Sequence, residues 1–155
     1  MTRVYVGATL EDVTRWRTEG AVPAGTDARA VTEGVVRELA DSDDEEREYA
    51  VTALAADDSL EALRQGSDRA DHGAHGDRRV VLVAERAVTE PGADPGSVRL
   101  SADLGWRDVT AILVDEEAAR ERIRAAVADP AEELDDLDLA WYLPAELDTL
   151  TRGDG

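Results

Sequence analysis

Cysteine, lysine, phenylalanine and asparagine are all absent from this chain of 155 residues, and histidine occurs only twice. Without cysteine there is no disulfide framework, no thiol nucleophile and no thiolate metal ligand. Both histidines, His72 and His75, fall in one glycine-rich stretch, Asp71-His72-Gly73-Ala74-His75-Gly76. General acid–base and nucleophilic catalysis most often rest on a His or Cys held on a rigid element. The inventory therefore argues against an enzyme. No apolar run approaches the ~20 residues of a membrane span. Met1-Thr2-Arg3 leads straight into Val4-Tyr5-Val6, which reads as a strand and not as the apolar region of a targeting peptide. The expectation is a soluble, cytoplasmic, single α/β domain over residues 1–155. A domain this size buries roughly 68–70% of the surface its unfolded chain exposes, enough for one core without staples.

What is present is acid. The formal net charge is -19, from 36 acidic and 17 basic residues, and every basic residue is arginine. Ala, Val, Gly, Arg and Asp abound, while the residues with AT-rich codons are scarce, which fits a GC-rich genome. An acidic surface without lysine also suits a high-salt cytoplasm. The acidity is uneven: residues 1–40 carry six acids against five arginines, whereas residues 129–155 carry nine acids against Arg152 alone. Such a field repels phosphate backbones, and no basic patch compensates, so nucleic acid is excluded and a basic protein partner is favoured.

Hydrophobic patterning gives the elements. Val4 to Gly7 reads as a short buried strand. Thr9-Leu10-Glu11-Asp12 opens a helix, with Thr9 as N-cap, and Leu10, Val13 and Trp16 share one face. Ala28, Val31, Val35 and Leu39 have helical spacing; alternatively residues 28–31 are extended and Thr32 caps a short helix, favoured here over 33–40. Ser42-Asp43-Asp44-Glu45 is a capping box before an Ala-rich helix, and Asp58-Ser59-Leu60-Glu61 looks like a second helix start. Residues 66–78 have no periodicity and read as a mobile loop. Val80 to Ala84 and Val109 to Val114 are apolar on both faces, as central strands are. Val98, Leu100 and Ala102 alternate with polar neighbours, and Trp106 follows a turn that plugs the core. Asp115 stands as the N-cap of a helix reaching Ala128, and Leu139, Trp141 and Leu143 alternate as a last strand before a helix opened by Pro144. The order predicts an α+β sandwich with a mixed, mainly antiparallel sheet of about four to five strands packed with helices. The long helical link from the first strand to residue 80 permits a parallel crossover.

Few groups combine into a site. His72-x-x-His75 offers two ligands on a flexible loop, short of the three or four a zinc site needs. Asp41-x-Asp43-x-Glu45 begins like a calcium loop but lacks its central Gly and terminal Glu, and Asp135-Asp136-Leu137-Asp138 has no matched second set. No metal and no cofactor is therefore expected, and no catalytic residue is assigned. Two surfaces stand as candidates. Tyr5, Gly7, Thr9 and Asp115 lie at strand–helix junctions, where backbone amides receive small anions. Asp138, Trp141 and Tyr142 place aromatic residues beside an acidic run, the pattern of an anchored protein contact. The competing reading puts Trp141 in the core and Tyr142 half-buried on the strand.

Several stretches together carry a resemblance. Arg3-Val4-Tyr5-Val6-x-Ala8-Thr9-Leu10, Ala30-Val31-Thr32, Glu45-x-x-x-Tyr49-Ala50, Arg78-Arg79-Val80-Val81, Val114-Asp115 and Asp138-Leu139-Ala140-Trp141-Tyr142 are similar to a small family of actinobacterial proteins of unknown function. The likeness spans most of the chain and implies an actinobacterial cytoplasm; it carries no activity. The chain departs from that pattern in its His-containing loop and in Glu33-Gly34, where Pro is expected after Thr32. The expected function is a non-enzymatic, acidic regulatory or protein-interaction module. The alternative is a small-molecule-binding protein or small enzyme with its site at the end of the first strand. Oligomeric state stays open.

Overall fold

The computed structural model describes residues 2–66, 77–132, 134 and 138–152. Strand β1 (Thr2–Ala8) leads into helix α1 (Leu10–Glu19), then β2 (Ala21–Val22), β3 (Asp27–Arg29), α2 (Glu33–Glu38) and the long α3 (Asp44–Gly66). The second half runs β4 (Val80–Ala87), β5 (Thr89–Pro91), β6 (Ser97–Leu100), β7 (Leu104–Gly105), β8 (Val109–Val114), α4 (Arg120–Ala128), β9 (Ala140–Tyr142) and α5 (Leu147–Arg152). Seven strands form one sheet in the order β5-β6-β3-β1-β4-β8-β9, and β2 pairs with β7 in a small ladder of its own.

The α+β class holds, but the sheet is larger than the four to five strands expected. Every neighbouring pair in it is antiparallel. The additional strands, β3 and β5, have three residues each, too few to show a period of two. The crossover that sequence permitted does not occur. Ala8, where β1 ends, pairs with Val80, where β4 begins. The excursion through α1, α2 and α3 thus returns to the end it left, which forces the antiparallel sense.

Side chains alternate across the sheet. On one face Val4, Val6, Leu82 and Ile112 pack against Leu10, Val13 and Trp16 of α1 and Leu147 of α5. On the other, Tyr5 and Val81 meet Val51, Ala55 and Ala56 of α3 and Val35 of α2. A third cluster joins α3 to α4 through Leu60, Leu63, Ile123 and Ala126. Helix α1 starts as its sequence predicts: Thr9 Oγ1 accepts from Asp12 N–H at 3.1 Å, while Asp12 accepts from Thr9 N–H. Gly20 closes it at φ 87, a left-handed conformation that suits glycine. Trp106 packs, partly buried, against the first cluster.

Helix α3 does not restart at Asp58; it is continuous. The residues that look like a second cap tie the helix to the sheet instead. Ser59 Oγ donates to Ala8 C=O at 2.7 Å and accepts from Val80 N–H at 2.8 Å. Asp58 takes a two-pronged bond from Arg29, at 2.7 and 2.8 Å. At the helix start, Asp43, one residue after the expected Ser42, accepts from Glu46 N–H at 2.8 Å.

Gly7 lets this helix lie directly on β1. A Cβ there would sit 2.2 Å from Ala55 C=O and 2.8 Å from Ser59 N. Both obstacles are backbone, so neither yields by a rotamer change. Overpacking of this kind costs about 1–3 kcal/mol or more. Gly7→Ala is expected to lower the urea midpoint accordingly, with the slope unchanged; an unaltered midpoint would show that the α3–β1 contact is loose.

Candidate functional site

The entry to β4 carries two successive arginines, and both are buried: Arg78 is 5% exposed and Arg79 4%. Their partner is Asp115, fully buried just past β8. Its carboxylate accepts from Arg79 N–H at 2.8 Å, from Nε at 2.9 Å and from Nη2 at 2.9 Å. Arg78 Nε donates to Asp115 C=O at 3.0 Å. Asp115 is therefore no helix cap. The chain after it forms a single 3-10 turn, Glu117–Ala119, without a side-chain cap, before α4. The carboxylate is consumed by the only chemistry that keeps a buried charge, a paired and hydrogen-bonded cation.

Arg79 also forms part of the floor of a groove between α3 and the β8–β9 end of the sheet. Tyr49, Ala53, Ala56 and Asp57 supply the α3 wall, and Leu113, Leu139 and Asp138 the other, around a volume of about 540 Å³. Tyr49 Oη donates to Asp138 Oδ1 at 3.3 Å across the mouth. Several large apolar side chains near it are exposed. Trp141 pairs with Leu113 in register, so it projects to the α3 side of the sheet, where it is 60% exposed. Tyr49 is 62% exposed and Leu143 47%.

The structure brings Asp138 and Trp141 to this side and separates Tyr142 from them. Tyr142 pairs with Ile112, on the opposite face, and packs against the main core. The competing reading that puts Trp141 in the core is thereby corrected, because pairing with Leu113 turns it to the α3 side, while Tyr142 is half-buried as that reading has it. Tyr49 and Arg79 were not singled out as site residues, although both occur in the stretches Glu45-x-x-x-Tyr49 and Arg78-Arg79. A helix and a strand entry reveal nothing separately about a groove between them.

The four candidates around the first strand have separate surroundings. Thr9 caps α1, Gly7 accommodates α3, and Asp115 holds Arg79. Tyr5 lies beneath α3, 6% exposed, and its hydroxyl donates to Glu48 Oε1 at 3.0 Å. Arg3 bonds both Glu48 and Glu85, and these bonds, Glu85 first, raise its pKa. Burial, with the Glu48 carboxylate adding to it, pushes the Tyr5 phenol up to about 12. Gly7 alone of the four reaches a hollow of about 650 Å³, beside Asp12, Trp16 and the Arg29–Asp58 pair. His72 and His75, with the rest of 67–76, and Asp135 and Asp136 lie outside the described residues. Among the described residues no group of three or more His, Asp or Glu side chains is placed to hold a metal, and no helix is long and apolar enough to cross a membrane.

An antiparallel α+β sheet with a one-sided edge groove is the class that fold and site define. Within it, the chain belongs to the family of unknown function DUF6912, whose model matches residues 2–151. No curated protein and no solved structure matches it.

Two measurements test these environments. Breaking a buried ion pair from one side leaves the other charge uncompensated, at a cost of about 3–5 kcal/mol. Asp115→Ala is expected to lose stability on that scale in chemical denaturation, and a loss below about 1 kcal/mol would contradict the buried pairing. Tyr5 gives a pH signature. Its folded pKa lies above the ordinary value, so the folded state holds the phenolic proton more tightly than the unfolded chain does. That contribution is complete below about pH 10 and is lost as pH rises toward 12. Denaturation midpoints should fall across this window in the native chain and fall less in Tyr5→Phe; equal slopes would refute the assignment.

Proposed function

We propose that this protein is an acidic protein-interaction module whose contact surface is the α3-side face of the β8–β9 edge. One observation carries the reading: Trp141, at 60% exposure, stands beside Leu113, which lines the groove whose rim holds the exposed Tyr49. Large aromatic side chains are the commonest anchors of protein contacts, and isolated domains gain nothing by leaving them in water. Asp138 borders the groove and sets the sign of the partner. A basic segment is favoured, and the net charge of -19 steers it. Tyr142 serves this surface from behind, by fixing β9 to the core. The family resemblance, with which the GC-rich composition agrees, supports a cytoplasmic location in an actinobacterium.

A second reading has an observation of its own. A groove of about 540 Å³ with mostly apolar walls falls within the ~300–1,000 Å³ range of small-molecule sites. A small ligand in that groove would sit against Leu113 and Leu139.

The test is a comparison of affinities for a partner captured on the immobilised native chain. Trp141→Ala is expected to weaken binding by about 2 kcal/mol, a factor of roughly 30, while changing folding stability by under about 1 kcal/mol because the site is exposed. Asp138→Asn should reduce both the association rate and its salt dependence. A partner held equally well by both variants would place the interface elsewhere; a metabolite that raises the melting temperature of the native chain and not of a groove variant would favour the second reading.

A further inference from the structure

We infer that the corner between β4 and β5 is a strained clasp, held shut by Arg3 and loosened by salt. Topology puts the corner under tension. Val88 alone separates the two strands in the chain, yet β6, β3 and β1 lie between them in the sheet. Strand β4 leaves β1 where Ala87 pairs with Thr2, and β5 joins β6 where Thr89 pairs with Leu100. Ser101 N–H donates to Val88 C=O at 2.9 Å and extends that second pairing to the corner itself. Since β6 pairs with β3 and β3 with β1, one bent strand draws four ladders' worth of chain into a ring. Residues 85–88 are where the ring closes.

The backbone there is strained. Between the pairs Thr2–Ala87 and Val4–Ala84, β4 sets two residues, Glu85 and Arg86, opposite Arg3. This is a bulge. Arg86 takes φ 63 within it, the one non-glycine residue at positive φ among the described residues. The left-handed region crowds a Cβ against the backbone, which is why glycine is the usual occupant. Another residue persists there when its surroundings over-determine the conformation.

The surroundings supply two holds. Packing acts at Ala87, which is buried in the main core, whereas Arg86 is exposed and Val88 is 52% exposed. The other hold is electrostatic. Arg3 Nε donates to Glu85 Oε1 at 2.6 Å, and the same guanidinium bonds Glu48 on α3. Arg3 thus ties the residue before the strained one to a helix already seated on the sheet. Its side chain and both carboxylates are each more than a third exposed, so dissolved ions reach the pairs and screen them. Arg3 is a positioning residue, the removable half of the restraint. Once the corner relaxes, β5 has little to keep it in place: three residues and one neighbouring strand.

The test is hydrogen exchange of the full chain at fixed pH, read at the Ser101 amide relative to the amides of the β4–β8 pair. That ratio removes the effect of salt on the stability of a chain with net charge -19. Raising NaCl from about 0.05 to about 0.5 M is expected to speed Ser101 exchange in the native chain at least about threefold. Arg3→Gln should speed it about tenfold at low salt and remove most of the salt response. Arg86→Gly keeps the clasp and relieves the strain, so it should slow Ser101 about fivefold. A Ser101 ratio that ignores both salt and Arg3→Gln rejects the clasp. Equal acceleration at Ser101 and in the β4–β8 pair would show that Arg3 supports the whole fold and not the corner, which overturns the proposal as well. Exchange unchanged or faster in Arg86→Gly would show that no strain is stored at Arg86, and the clasp fails on that outcome too.

Discussion

The contact between α3 and β1 is the constraint on which the rest of the structure depends. At Gly7 the helix backbone comes as near to the strand as two backbones can, with Ala55 C=O where a side chain would begin. Ser59 then links the end of β1 to the start of β4 through one hydroxyl. That single residue ties the helix to both strands of the central pair. Once α3 is seated over β1, its width determines which strands it covers.

Charge is handled in two ways. In the interior the chain spends arginine, whose planar guanidinium can satisfy a carboxylate through two parallel bonds. Arg79 with Asp115 and Arg29 with Asp58 both use this geometry, the first fully buried and the second partly exposed. Over the whole chain the acids are in excess, with a formal net charge of -19. Lysine offers a point charge and would not reproduce the paired bonds that Arg79 makes to Asp115.

Local elements were legible where a local rule sufficed. Thr9 and Asp12 form the capping box that their spacing announces, and β4 and β8 are the apolar runs that central strands require. The failures share one cause. Asp58-Ser59 has the composition of a helix start and Asp115 that of a cap, yet each is claimed by a partner far along the chain: Ser59 by Ala8 and Val80, Asp58 by Arg29, Asp115 by Arg79. Short polar side chains serve a cap and a tertiary bond equally well, and sequence spacing does not distinguish them. Trp141 illustrates the same limit. Its alternation with Tyr142 was visible, but which of the two faces α1 and α5 depends on the pairing of β9 with β8, a fact of topology. The groove, made by two elements some ninety residues apart at Tyr49 and Asp138 (|i−j|=89), has no local signature at all.

The two outermost strands of the sheet have a consequence for how the protein behaves in a crowded cell. Both β5 and β9 are three residues long; Pro91 ends the first, and Pro144 follows closely after the second. A proline offers no N–H to an incoming strand, and so short a ladder gives it little to grip. An antiparallel sheet with an exposed tryptophan beside its margin would otherwise invite stacking end to end into fibres. Here each margin combines a ladder of three residues with a nearby proline, two features that disfavour the addition of a further strand.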